Sequence, residues 1–370
     1  MLVTRLRVRD FRSYASADVA LGERLTVVHG PNGAGKTNLL EALYFGCTGR
    51  SCRTSTEREV VRFDAGAARV EVGGRDRDGE HELSVGFAAG EAKRLKVDGA
   101  PVDRLLDAPV RPLVSVFLPD RLELVKGPPA VRRSHLDALV AGLWPARAPT
   151  RRAYAQALAQ RNALLARIRA GHGSRASLAA WDLELAGHAI ALRDDRARAV
   201  ALLDARFATV AGDLGLLGTA MLRYRPRSDA ATPEALAAEL AERLDSDLDR
   251  GFTGHGPHRD ELLLLRDRRE LRVFGSQGEQ RLALLALLLA ERAALEDERG
   301  APPLLLLDDV MSELDADRRE RLVEHIGAAG QTVITTTDLA HVPGAEAAGV
   351  VRLRVAPGTV AEDRPPALAA

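Results

Sequence analysis

Apolar and polar positions alternate along residues 2–9, Leu-Val-Thr-Arg-Leu-Arg-Val-Arg, which is the period of a half-buried strand. The short apolar run Leu25–His29 predicts a second strand. A glycine-rich turn follows, and then helical spacing from about Lys36 to Phe45. Alternation returns between 69 and 97. Arg69–Gly73 and Glu82–Phe87 read as antiparallel strands separated by the turn Arg75-Asp76-Arg77-Asp78-Gly79. A further strand is expected at Leu95–Val97, closed by Asp98-Gly99. From roughly 128 to 250 the chain is rich in Ala, Leu and Arg and reads as helices. Tyr154, Leu158, Leu165 and Ile168 recur near helical spacing, as do Leu178, Trp181, Leu185 and Leu192, then Leu203, Phe207 and Val210. Gly171-His172-Gly173-Ser174 breaks the first of these helices from the second. Beyond 260 the α/β pattern resumes. Leu304–Leu307 is an unbroken leucine run suited to a parallel strand buried on both faces, and Val333–Thr336 reads as another.

These elements predict an α/β head with a mixed sheet, formed by residues 1–125 and 255–370, interrupted by a mainly helical lobe at 126–254. That insertion is too short for a long coiled coil. The chain shows no internal repeat, and its low-complexity segment is the Pro/Ala tail from 364 to 370.

Composition narrows the classes. Hydrophobic residues make up 46% of the 370, enough for a substantial core, and 52 Lys+Arg balance 52 Asp+Glu. No whole-molecule positive field exists, so nucleic-acid binding requires a local patch. Only Lys36, Lys93, Lys96 and Lys126 are lysines; the remaining basic charge is arginine. Cys47 and Cys52 are too few for a disulfide framework and make no zinc site on their own. Met1-Leu2-Val3-Thr4-Arg5 lacks the apolar stretch of a secretion signal, and the longest apolar run, Leu282–Ala290, is too short to cross a bilayer. The expectation is a soluble, cytoplasmic protein with no membrane partner.

Three motifs carry the chemistry. Gly30-Pro31-Asn32-Gly33-Ala34-Gly35-Lys36-Thr37 matches the P-loop pattern G-x-x-x-x-G-K-[ST], between a strand and a helix that continues through Asn38. Its glycines let successive N–H groups face phosphate oxygens, Lys36 is placed to bridge the β- and γ-phosphates of ATP, and Thr37 to ligate Mg²⁺. Leu304–Leu307 followed by Asp308-Asp309 forms a Walker B strand. Asp308 is expected in the Mg²⁺ shell, and Asp309 is placed to orient or deprotonate the attacking water. Phe274-Gly275-Ser276-Gln277-Gly278-Glu279-Gln280 opens a helix spanning Arg281–Arg292. Ser276 and Glu279 make the S-x-x-E capping box, and the same helix start, with a serine hydroxyl and free N–H groups, suits an anion. Met311-Ser312-Glu313-Leu314-Asp315 follows Walker B directly; it suits either a helix start capped by Ser312 or an interface loop ending in Asp315.

The Ser-Gln-Gly-Glu turn resembles the signature of ABC-type ATPases, and the segment ending in Asp315 resembles their D-loop. The combination, with Leu6-Arg7-Val8-Arg9-Asp10-Phe11-Arg12, Pro119-Asp120-Arg121-Leu122-Glu123, Arg132-Arg133-Ser134-His135-Leu136-Asp137 and Gly254-His255-Gly256-Pro257-His258-Arg259-Asp260, resembles the RecF family from Leu2 to about Asp338. Two positions depart from the family's pattern and two features from that of ABC ATPases at large. His135 stands where an aromatic residue is usual, Pro128 where a small one is, Asp309 where glutamate is commoner, and Thr335-Thr336-Thr337 where ABC ATPases carry a histidine.

The resemblance implies an ABC-type P-loop ATPase in which Ser276, Gln277, Gly278 and Asp315 of one copy complete the ATP site of a second. The homodimer is then driven by ATP. It further implies DNA binding in recombinational repair and replication at single-strand gaps, with RecO and RecR as partners, RecA loading, and a role in the SOS response. The shorter Asp309 carboxylate predicts slow turnover, and the resemblance implies a weak, DNA-stimulated ATPase. Eleven arginines against five carboxylates between 147 and 207, Arg147, Arg151, Arg152, Arg161, Arg167 and Arg169 among them, suit either a patch for duplex or junction backbone or a solvated helix surface. His255, His258 and Asp260 suit phosphate or interface contacts, with Arg259 foremost, better than metal ligation. An ATP-gated clamp with negligible hydrolysis, or another ABC-type ATPase such as a transporter domain, is the alternative reading.

Overall fold

The computed structural model describes residues 1–118, 122–328 and 330–363. Pro119-Asp120-Arg121, at the head of a family-like stretch, and the Pro/Ala tail lie outside these. In chain order, strands β1 (Leu2–Phe11), β2 (Tyr14–Ala20) and β3 (Leu25–His29) precede helix α1 (Lys36–Thr48). Strands β4 (Ala67–Arg75), β5 (Glu80–Ala88), β6 (Arg94–Val97), β7 (Ala100–Pro101) and β8 (Val114–Phe117) follow. The helical region comprises α2 (Glu123–Lys126), α3 (Pro129–Leu143), α4 (Ala148–Arg169) and α5 (Leu178–Asp213), then β9 (Ala220–Arg225), α6 (Pro233–Glu242) and α7 (Leu244–Arg250). After it come β10 (Glu261–Arg266), β11 (Arg269–Glu270), α8 (Leu271–Phe274) and α9 (Gln277–Arg299). The chain continues through β12 (Leu304–Leu307), α10 (Ala316–Ala328), β13 (Thr332–Thr336), β14 (Val351–Ala356) and β15 (Thr359–Glu362).

The elements fall into two compact units, Met1–Arg121 with Gly300–Ala370, and Leu122–Arg299. The first is built on two sheets. One, ordered β15-β14-β3-β13-β12-β8, is parallel except for the β14–β15 hairpin. Every residue of β12 and β13 is buried, as expected of parallel strands covered on both faces. The other, β2-β1-β4-β5-β6-β7, is antiparallel. Its strands alternate, with Leu6 and Val8 of β1, Val70 and Val72 of β4, and Leu83 and Val85 of β5 turned inward. Helix α1 contacts strands of both sheets. Leu39, Leu40, Leu43 and Phe45 are at most 3% exposed, so the helix is apolar nearly all round. Each such side chain contributes about 1.5–3 kcal/mol on burial, which anchors the helix that follows the P-loop.

The second unit is larger than the lobe expected at 126–254, because residues 255–299 pack into it. Helix α5, 36 residues and about 54 Å long, receives α4, α6, α9 and strand β9 along its length. The mainly helical reading of this region places no strand at β9, which pairs antiparallel with β10 from Ala220↔Arg266 to Arg225↔Glu261. Its partner lies tens of residues downstream, so local periodicity carried little signal for it.

Buried ion pairs tie this unit together. Arg161 is fully buried; its Nε donates to Asp182 at 2.6 Å and its Nη1 to Asp247 at 2.6 Å and Thr253 Oγ1 at 2.8 Å. Burial raises the Asp182 carboxyl above its ordinary range. Arg196 is likewise buried, donating to Asp137 at 2.7 and 3.1 Å. Two arginines of the expected DNA patch are therefore internal. Arg161→Ala would leave two buried carboxylates without their cation and should lower stability by about 3–5 kcal/mol in urea unfolding. Arg152→Ala, on the exposed side of α4, should change it by less than about 0.5 kcal/mol; equal effects would refute the structural role of Arg161.

Candidate nucleotide site

The P-loop spans the turn from β3 into α1. Gly35 caps α1 at φ 112°, with no side chain satisfying the first-turn N–H groups. A Cβ there would meet Ser13 Oγ at 2.8 Å, so glycine is required both by conformation and by close approach. Those N–H groups, at the positive end of the helix, form an anion cradle. The cradle is braced from below: Tyr14, fully buried, donates its hydroxyl to the Gly35 carbonyl at 3.0 Å, and burial pushes its phenol up to about 12, which keeps it a neutral donor. Lys36 Nζ donates to the carbonyls of Gly30 (2.8 Å) and Pro31 (3.1 Å). Burial lowers its pKa, opposed by the charges of Asp309 and Asp308. Asn38 lies on the first turn of α1 with its amide engaged, donating to Ser13 Oγ and accepting from Arg53, both at 3.0 Å.

Walker B meets this cradle directly. Thr37 Oγ1 lies 2.8 and 3.0 Å from the two carboxylate oxygens of Asp308. Asp308 is 4% exposed, and burial raises its pKa, partly offset by hydrogen bonds from Thr335 and Thr37. Asp309 sits in the left-handed region, φ 47°, ψ 28°, a conformation that re-aims its side chain at some cost in strain. Its Oδ1 is buried and has no hydrogen-bond partner among the described residues. The hard oxygen donors of Thr37 and Asp308, and this orphaned carboxylate oxygen of the residue next to Asp308, fit a magnesium ion.

Thr335 is a site residue that sequence reasoning passed over as a missing histidine. Its buried hydroxyl donates to Asp308 Oδ1 at 2.7 Å and accepts the Asp309 N–H at 2.9 Å. The signal was register: β13 pairs parallel with β12, Leu307 opposite Ile334, so Thr335 must lie beside Asp308. Downstream, Ser312 donates to the Asp309 carbonyl at 2.9 Å. Asp315, and not Ser312 as the helix-start reading had it, caps α10 by accepting the Arg318 N–H at 2.9 Å.

In the second unit, Ser276 N–H donates to Glu279 Oε2 at 2.8 Å and Glu279 N–H returns to Ser276 Oγ at 3.3 Å, the expected capping box. Ser276 Oγ is there an acceptor, so its own proton remains available to an anion. Ser276, Gln277 and Gly278 are exposed. Gln280 is buried; its Nε2 donates to the carbonyls of Leu271 (2.9 Å) and Gly275 (3.0 Å), fixing the turn between α8 and α9. The 254–260 segment is largely internal. His258 Nε2 donates to the Thr253 carbonyl at 2.9 Å, so Nδ1 accepts from Tyr154 at 2.6 Å, while His255 is paired with Glu239 at 2.5 Å. Asp260 is 1% exposed and Arg259 lies on the surface over the Phe252 ring.

A P-loop and Walker B carboxylate at the ends of parallel strands β3 and β12, on either side of β13, with an antiparallel outer sheet and a capped Ser-Gln-Gly helix start, define an ABC-type P-loop ATPase head bearing a helical lobe. The model for the RecF/RecN/SMC N-terminal domain matches residues 2–356. Among curated relatives, DNA replication and repair protein RecF of Anaeromyxobacter sp. (strain Fw109-5) is 40% identical, covering 91% of this chain and 93% of that one. RecF of Myxococcus xanthus is 39% identical, covering 98% and 97%. The chain belongs to the RecF family. It is similar to the solved structure of the recombination mediator protein RecF with ATP in the RecFOR pathway, with a TM-score of 0.87, 27% identity and 98% coverage of both chains. An Smc head bound to the C-terminal winged-helix domain of ScpA shares the fold at a TM-score of 0.59 and 16% identity.

Thr335→Val keeps shape but removes both hydrogen bonds. Bonds to charged groups contribute about 1.5–3 kcal/mol, so ATP turnover should fall about 10- to 100-fold while nucleotide affinity changes little. Turnover equal to wild type would show that Thr335 does not position the carboxylates.

Proposed function

We propose that this chain is an ATP- and Mg²⁺-dependent DNA-binding ATPase of recombinational repair and replication, working as an ATP-driven homodimer. The observation that carries the reading is the Thr37–Asp308–Thr335 cluster at the mouth of the P-loop. The bound magnesium ion would supply charge neutralisation at the phosphates. Lys36 and the first-turn N–H groups of α1 hold the phosphate oxygens. Asp309, with its free buried oxygen, orients the attacking water and receives its proton.

Ser276 has a free hydroxyl proton at an exposed helix start, flanked by Val273 and Phe274, which are 62% and 61% exposed. A polar turn with an adjoining apolar pair suits the γ-phosphate side of a second copy's site. A few charge-assisted bonds of about 1.5–3 kcal/mol at each of two sites reach the roughly 5.5 kcal/mol that moves a 1:99 equilibrium to 99:1. Hydrolysis removes the contacts and the copies separate. The short Asp309 carboxylate implies turnover below about 10 s⁻¹, and family resemblance adds stimulation by DNA. Family resemblance extends the proposal to action at single-strand gaps with RecO and RecR, RecA loading, the SOS response and a cytoplasmic setting. None of the described helices is long and apolar enough to span a membrane. On the α4 surface Arg152, Arg167 and Arg169 remain exposed for backbone contacts.

Sedimentation with ATP and Mg²⁺ should show a dimer for the wild type, whereas Ser276→Arg stays monomeric yet retains nucleotide affinity. Lys36→Ala should lose affinity itself. Equal loss of affinity in both variants would defeat the shared site. Dimerisation with no phosphate release, with or without DNA, would favour an ATP-gated clamp.

A further inference from the structure

Strand β9 is an edge of the three-stranded sheet β11-β10-β9. Its buried Leu222 faces α5, where its N–H donates to Asp204 Oδ1 at 2.7 Å. Arg223 and Arg225 alternate with the inward residues and are exposed. Arg227 is also exposed and sits just past the strand, its backbone N–H held by Asp260 Oδ1 at 2.7 Å. Asp260 gathers two more cations. Arg133 donates to its carbonyl at 2.9 Å, and Arg259 precedes it in the chain.

The carboxylates near this row are already committed. Asp260 is used by Tyr224 and by buried Arg196, and Glu261, opposite Arg225, is forked by Arg132 at 2.8 and 3.1 Å. Arg133, Arg223, Arg225, Arg227 and Arg259 make no ion pair among the described residues. Burial, and then the charge of Arg196, hold the Arg133 guanidinium below its ordinary value, opposed by the charges of Glu261 and Asp260.

We propose that β9 and its exit form a contact surface for the phosphodiester backbone of duplex DNA, with Arg223, Arg225 and Arg227 as the phosphate-tracking row and Arg133 and Arg259 flanking it. This placement rests on the DNA-binding reading above. Alternate strand residues repeat about every 6.7 Å, so successive guanidinium groups can follow successive phosphates along one strand of a duplex. The guanidinium fork suits phosphate oxygens. A protein partner would want an apolar anchor at the centre of such a face. Here the nearby exposed aromatic, Phe252, is already covered by Arg259.

The test is fluorescence anisotropy with a labelled blunt duplex, titrated at several salt concentrations with ATP present. Replacing Arg223, Arg225 and Arg227 together by Gln should reduce affinity and lower the log–log salt slope by about 2–3, at about 0.9 per lost contact. Fluorescent-nucleotide affinity should stay at the wild-type value. The matching Lys triple should retain the slope, which separates lost charge from lost folding. The placement on β9 is overturned if the Gln triple keeps wild-type affinity and slope, or if Arg152, Arg167 and Arg169→Gln removes the slope instead. It is equally overturned if the Lys triple loses the slope along with the Gln triple. If the wild type binds no duplex, DNA binding itself fails and the placement with it.

Discussion

The site depends on one contact between segments 271 residues apart: the Thr37 hydroxyl on the Asp308 carboxylate. It exists because β3, β13 and β12 lie side by side and parallel, so their C-terminal ends present the P-loop, Thr335 and the Asp308-Asp309 pair at one edge. This is the edge at which parallel α/β sheets ordinarily bind ligands. Everything else in the first unit serves that alignment. The all-buried strands fix the register, α1 is wedged by its apolar surface against both sheets, and Tyr14 holds the Gly35 carbonyl from beneath.

The arrangement is electrostatically costly as it stands. Asp308 is buried and pushed toward its neutral form, Asp309 is held in a strained backbone conformation with an unpaired oxygen, and Lys36 is drawn onto carbonyls of its own loop. Burial strengthens every interaction these groups make and penalises any left unmade. A triphosphate with a hard divalent cation would satisfy all three together, which is why the cluster reads as a nucleotide switch and not as core packing.

The P-loop, Walker B and capping box were legible in the sequence because each is a local pattern with its own mechanics. Ser276 and Glu279, three residues apart, can be read as a cap without knowing the fold. The residues that escaped notice act through distant register. Thr335 becomes a site residue only once β13 is known to flank β12, and β9 becomes a strand only once β10 is placed beside it. Charge counting along 147–207 also misled. Arg161 and Arg196 look like surface cations on periodicity alone, yet each is neutralised by carboxylates from elements far away in the chain. The lobe boundary moved for a similar reason, since α9 packs along α5.

The central claim is that Lys36 and Ser276 act on one triphosphate from different copies of the chain. Mixing Lys36→Ala protein with Ser276→Arg protein tests it most directly, because a mixed pair carries one intact site: Lys36 from one variant and Ser276 from the other. The account predicts phosphate release from the mixture well above the average of the two variants assayed alone. A mixture no more active than that average would contradict it.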